Sequence, residues 1–122
     1  MRRSIPIAAG LLLIAGLLSA ADLTGTWKGQ FEFNGAPVPL TFDLKADGDA
    51  LTGSITGLPA GVAKIEGGKI QAGVVTFSIM TQYQGDPIKL VLKGQTQDDG
   101  IHFSMGTEDG SWGVDFVAKR GS

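Results

Sequence analysis

The chain has 122 residues, 10 Lys and Arg against 12 Asp and Glu, and no cysteine. That length suits a single domain, and the missing cysteine excludes a disulfide framework, a thiol nucleophile, a lipidated cysteine and any cysteine-based metal site. A formal charge of −2 offers no basic footprint for nucleic acid or for an anionic membrane surface.

Met1-Arg2-Arg3 is followed by an apolar run from Ile5 to Leu18 and then by Ser19-Ala20-Ala21-Asp22. A basic start, an apolar middle and small residues at the end make a secretory signal peptide, cut after Ala21 or Ala20. The run falls short of the roughly 20 residues a membrane span needs. The expected organisation is a signal peptide over 1–21 and one β-barrel domain over 22–122, periplasmic or extracellular. Ten basic residues less Arg2 and Arg3 leave eight against 12 acidic ones, so the exported chain is more acidic than the whole.

Thr24 to Phe33 opens the domain, with Trp27, Phe31 and Phe33 on one face and Lys28, Gln30 and Glu32 on the other. That alternation is the signature of a half-buried strand. Asn34-Gly35 is a hairpin turn signal. Val38 to Ala46 turns Leu40, Phe42 and Leu44 inward, Asp47-Gly48-Asp49 reverses the chain, and Leu51 to Thr56 follows with Leu51, Gly53 and Ile55 on its inner face. Leu58-Pro59-Ala60-Gly61 reads as a loop. In Val62 to Gln71, Ile65 and Ile70 are out of phase and Gly67-Gly68 lies between them. Either a glycine bulge restores the phase or the segment is a miniature hairpin.

Val74 to Gln82, Ile88 to Thr96, Ile101 to Thr107 and Trp112 to Arg120 complete the series. Their inner faces are Val75-Phe77-Ile79, Ile88-Leu90-Leu92, Ile101-Phe103-Met105 and Trp112-Val114-Phe116-Ala118. Strands joined by tight turns, each with one apolar face, predict an antiparallel meander. Eight such strands lose their exposed edges by closing into an up-and-down barrel; an open two-sheet sandwich is the competing architecture.

Arg120 shares the inward phase of Phe116 and Ala118, and a guanidinium in an apolar interior needs a partner. In an eight-stranded meander the first strand starts, and the last ends, at the same rim. Trp27 then lies beside Arg120 in cation–π contact, which favours the bulge at Gly67-Gly68 over a ninth strand. Inward-phase Gly29, Gly53 and Gly94 map toward this rim and would make room for the two side chains.

Gly25-Thr26-Trp27 at the start and Arg120 at the end together resemble the calycin superfamily of lipocalins, fatty-acid-binding proteins and avidins. Asp47-Gly48-Asp49-Ala50-Leu51-Thr52-Gly53 resembles the avidin turn and third strand, and the ending Phe116-Val117-Ala118-Lys119-Arg120 is similar to that of small secreted bacterial β-barrel domains. The resemblance implies a barrel able to hold a ligand. It does not carry biotin binding, because Lys28 and Gly29 stand where avidins place a binding Asn and Ile55 where they place a binding Tyr. The larger size and frequent disulfide of lipocalins are missing as well.

No metal, cofactor or catalytic constellation stands out. His102 lies on a polar phase, and Asp47 and Asp49 lack the spacing of a calcium loop. Asp98-Asp99 and Glu108-Asp109 are turn residues, and Ser54, Ser78 and Ser104 have no identifiable triad. The rim opposite Trp27 is more informative. Strand directions bring Phe33, Tyr83 and Trp112 together there, aromatic and partly polar as a small-ligand mouth should be. A ligand entering past them would bury itself against Leu40, Ile79 and Ile88, with the Tyr83 phenol fixing its polar end. The alternative is a solid barrel that meets another protein through outward Val91, Val117 and Met80. The volume of the interior decides between them, since eight strands enclose space either for side chains alone or for one small ligand.

Overall fold

A computed structural model describes residues 23–97 and 100–121; the expected leader, Asp22, Asp98-Asp99 and Ser122 lie outside these. Nine strand segments follow one another: β1 (Gly25–Phe33), β2 (Ala36–Asp47), β3 (Ala50–Leu58), β4 (Gly61–Lys64), β5 (Glu66–Gln71), β6 (Val74–Tyr83), β7 (Asp86–Gln97), β8 (Gly100–Thr107) and β9 (Gly113–Arg120). The pairings are antiparallel, β1 lies between β2 and β9, and the β2–β3 pairing closes the ring. β4 and β5 are halves of one stave: both pair with β3, and Ile65 between them donates its N–H to Gly53 O at 2.9 Å. The molecule is therefore an eight-stranded closed up-and-down barrel, not a sandwich.

The glycine bulge is where the phase argument puts it. Glu66 pairs with Ser78 but Lys69 with Thr76, so β5 spends one residue more than β6 over this stretch. Gly67 takes φ +63°, a left-handed conformation that suits glycine. Ala63 and Ile65 before the bulge and Ile70 after it are consequently all buried.

The middle of the barrel is filled. Phe42 stacks on Phe103 with centroids 5.1 Å apart and planes 3° off parallel. Phe116 lies against Phe103 at 5.5 Å, and Phe77 meets its edge at 6.0 Å. Such pairs contribute about 0.5–1.5 kcal/mol each beyond their buried area. Gly94 exists for this packing: a Cβ there would come within 2.7 to 2.8 Å of Ile101, Phe103 and Val75.

At one end the barrel is plugged. Trp27 faces Arg120 across β1 and β9, and the guanidinium carbon sits 4.2 Å from the indole centroid. The indole N–H donates to Leu23 O at 2.9 Å, and Arg120 Nη1 donates to Thr24 O at 2.9 Å. Leu23 and Trp27 are buried, at 0% and 2% exposure. Two expectations need correction. Arg120 is exposed: it covers the indole from the water side, so no charge is buried. Gly29, Gly53 and Gly94 do not serve this contact either. Gly29 lies under Val117 O and Phe116, and Gly53 under Asp43 O, each admitting close approach of a neighbouring strand; Gly25 is the glycine whose Cβ would meet Arg120, at 2.7 Å from Nη1. The β1–β9 seam is in register over two pairs, Trp27 with Arg120 and Lys28 with Lys119. Farther along, Gln30, Phe31 and Glu32 line a surface groove together with Val114 to Val117, with the Phe31 and Phe116 rings 6.3 Å apart.

Candidate functional site

Strand direction gathers the ends of β1, β3, β6 and β8 at the rim away from the plug. Here the filled core stops and leaves a cavity of about 350 Å³. β1 contributes Phe31 and Phe33, and β2 contributes Val38. β7 contributes Ile88 and Leu90, with Trp112 closing the circle before β9. Phe31 and Leu90 are buried, at 7% and 4% exposure, and form the inner wall.

One wall depends on a second bulge. Ile55 pairs with Ala63 but Leu58 with Gly61, so the register slips by one residue near Gly57. Gly57 has φ +116°, and a Cβ on it would collide with Pro39 O. The extra residue turns Leu58 inward after Ile55, and Leu58 and Pro59 line the cavity. A stretch that reads as a loop thus supplies part of the site.

Trp112 is held by a polar knot. Asp109 Oδ1 accepts from Thr107 Oγ1 at 2.8 Å and from the Ser111 N–H at 2.9 Å. Thr107 Oγ1 accepts from the Trp112 N–H at 3.2 Å, and the Thr107 N–H donates to Trp112 O at 3.0 Å. The bonds from Ser111 and Thr107 hold the Asp109 carboxyl below its usual range, as expected for an acceptor with several donors. Trp112 so positioned meets Phe31 and Phe33 edge-on at 5.9 and 6.1 Å, and Tyr83 meets Phe33 edge-on at 6.0 Å. Four aromatic rings form a continuous arc around the mouth.

The lining is almost wholly apolar, and none of its described residues is charged. Thr81 is the exception in depth. It is 5% exposed, faces Ile88 across β6 and β7, and its Oγ1 has no hydrogen-bond partner among the described residues.

Of the residues anticipated at this site, Phe33, Tyr83, Ile88 and Trp112 line the cavity. Leu40 and Ile79, at 1% and 0% exposure, are packed in the core beneath it and do not; the aromatic filling stops a ligand short of that depth. Tyr83 is 49% exposed and stands at the lip. Thr81 and Leu58 escaped the sequence reading, although Thr81 falls on the inward phase of Val75, Phe77 and Ile79, where a polar residue is itself a signal. Met80 and Val91 are exposed on neighbouring strands. Val117 is half-buried on β9, separated from them by β8, so the three make no common patch. Ser104 Oγ donates to Asp115 at 2.7 Å on the outer surface, and no group of three potential metal ligands occurs among the described residues. Comparison with family models, with curated proteins and with solved structures gives no match to this chain.

Proposed function

We propose that the protein is a secreted, non-catalytic barrel that binds a small apolar or amphipathic molecule in its open end. The observation that carries the reading is the preformed cavity of about 350 Å³, walled by apolar side chains and rimmed by aromatics. Small-molecule sites have this concave, mostly apolar character and volumes of roughly 300–1,000 Å³. The secretory leader pattern and the calycin-like pairing of Trp27 with Arg120 support the same reading, as a carrier whose ligand sits at the mouth and not deep in the barrel.

The volume limits the ligand. At protein packing density it holds about a dozen non-hydrogen atoms. At about 0.5 kcal/mol per atom, between the values for the smallest and for drug-sized ligands, the dissociation constant falls at roughly 10–100 μM. The test is calorimetry with a panel of medium-chain and monocyclic aromatic compounds, against wild type and Ile88→Trp. The bulky indole should fill the cavity and abolish binding while the fold persists. No heat with any member of the panel, or equal affinity in Ile88→Trp, would remove the carrier reading.

A further inference from the structure

Two threonines in this barrel are buried on the inward phase, Thr81 and Thr96. They differ in one respect. Thr96, near the plugged end, donates its hydroxyl to Gly73 O at 2.9 Å. Thr81, in the cavity wall, has no such partner among the described residues. A buried hydroxyl without a partner forfeits the hydrogen bonds it made in water, and the residue paired with Thr81 across the sheet is the hydrocarbon side chain of Ile88.

We infer that the site takes an uncharged ligand with one hydrogen-bonding oxygen at the end that enters first, and that Thr81, not Tyr83, holds that oxygen. The inference rests on the carrier reading above and specifies its ligand. Thr81 lies two residues inside Tyr83 on β6, facing Ile88, whereas Tyr83 pairs with Asp86 at the lip. The Tyr83 ring is set edge-on against Phe33 and is half in water, so its phenol meets solvent with or without a ligand. The Thr81 hydroxyl is itself shielded, so reaching a ligand in the cavity that Thr81 lines would take a step about χ1 between staggered wells.

Charge excludes the commonest alternative. A carboxylate entering first would be desolvated among residues none of which is cationic, and an unpaired ion in an apolar site is strongly disfavoured. A hydroxyl or carbonyl oxygen carries no such penalty. A threonine hydroxyl donates and accepts, so alcohols and ketones both suit it. The class is therefore a neutral medium-chain or monocyclic alcohol or carbonyl compound, with its hydrocarbon part against the aromatic arc.

The experiment uses the full exported chain with four probes: 1-octanol, 2-octanone, octanoate and ethylbenzene. Their affinities are measured by calorimetry at neutral pH for wild type, Thr81→Val, Thr81→Ser and Tyr83→Phe. Thr81→Val should weaken 1-octanol and 2-octanone about tenfold, the equivalent of one hydrogen bond, and leave ethylbenzene unchanged or tighter. Thr81→Ser and Tyr83→Phe should both keep the preference for the oxygenated probes over ethylbenzene, and octanoate should bind weakest throughout. Thr81→Val should also melt higher than wild type without ligand, because it removes an unsatisfied group, whereas Thr96→Val should melt lower. Equal affinity of wild type and Thr81→Val for the oxygenated probes would overturn the assignment and leave the carrier reading standing. So would selectivity lost in Tyr83→Phe instead. Failure of all four probes to bind wild type would remove both.

Discussion

The plug offers a quantitative test of how the barrel closes. Trp27 is 2% exposed, so Trp27→Leu leaves a partial cavity and takes the donor away from Leu23 O; a loss within about 2–4 kcal/mol is expected, somewhat below complete truncation of a large aromatic. Arg120 is exposed, and its contact with the ring is worth about 0.5–1 kcal/mol at such a site. Its bond to Thr24 O adds about as much again. Arg120→Met, which keeps the apolar stem, should therefore cost about 1–2 kcal/mol, or roughly 4–15 °C in melting temperature for a domain near 100 residues. Part of that cost needs the indole. In the double mutant the two losses should fall short of additivity by about 0.5–1 kcal/mol. Urea unfolding followed by circular dichroism, with m-values compared across the cycle, gives the four free energies. Additivity within about 0.3 kcal/mol would refute the stacking. A loss above about 3 kcal/mol for Arg120→Met alone would mean a buried charge, contrary to the exposed guanidinium.

Three hairpins turn through paired positive φ values, 53° and 80° at Asn34-Gly35, 51° and 82° at Ala72-Gly73, and 54° and 86° at Gln84-Gly85. Asn accepts this conformation better than Ala or Gln, so Ala72→Asn and Gln84→Asn should each stabilise by about 0.5–1 kcal/mol, read from thermal melts. The lowered Asp109 pKa means that its bonds contribute fully above the unfolded carboxyl pKa, about 3.9, and lose that contribution as pH falls through the folded value. An NMR titration should show the Trp112 indole N–H shifting in that acid window in wild type and holding steady in Asp109→Asn.

The period-2 pattern made the architecture legible because each strand buries one face. Even the phase error between Ile65 and Ile70 was informative, since only a bulge reconciles it with ends that meet. The mouth was half legible for the same reason: Phe33, Tyr83, Ile88 and Trp112 follow from strand direction. Alternation says which way a side chain points and not how far the packing beneath it reaches, so it does not reveal that Leu40 and Ile79 lie outside the cavity lining. Leu58 was hidden by the slip at Gly57, which depends on the approach of Pro39 O from another strand. Parity alone turns Arg120 inward, because it does not distinguish the interior from its rim, where a long side chain keeps its charge in water. Leu23, placed before the first alternating segment, gave no pattern at all.

The seam between β1 and β9 has a kinetic consequence. Among the described residues every other strand pairing joins neighbours in the chain or crosses only the short β4 segment, so the meander can zip up hairpin by hairpin. Closure alone brings together residues about ninety positions apart, at a loop entropy of about 4 kcal/mol by the logarithmic rule. It rewards that cost with two registered pairs, the bond from the Gly121 N–H to Thr26 O at 2.8 Å, the ring contact of Phe31 with Phe116 and the plug. The seam should thus form last and open first, and amide exchange should be fastest along its unregistered half. Phe31 borders both that half and the cavity. Transient parting of the first and last strands would bare the flank of the site as well as its mouth, tying the residence time of anything held there to the breathing of the hoop.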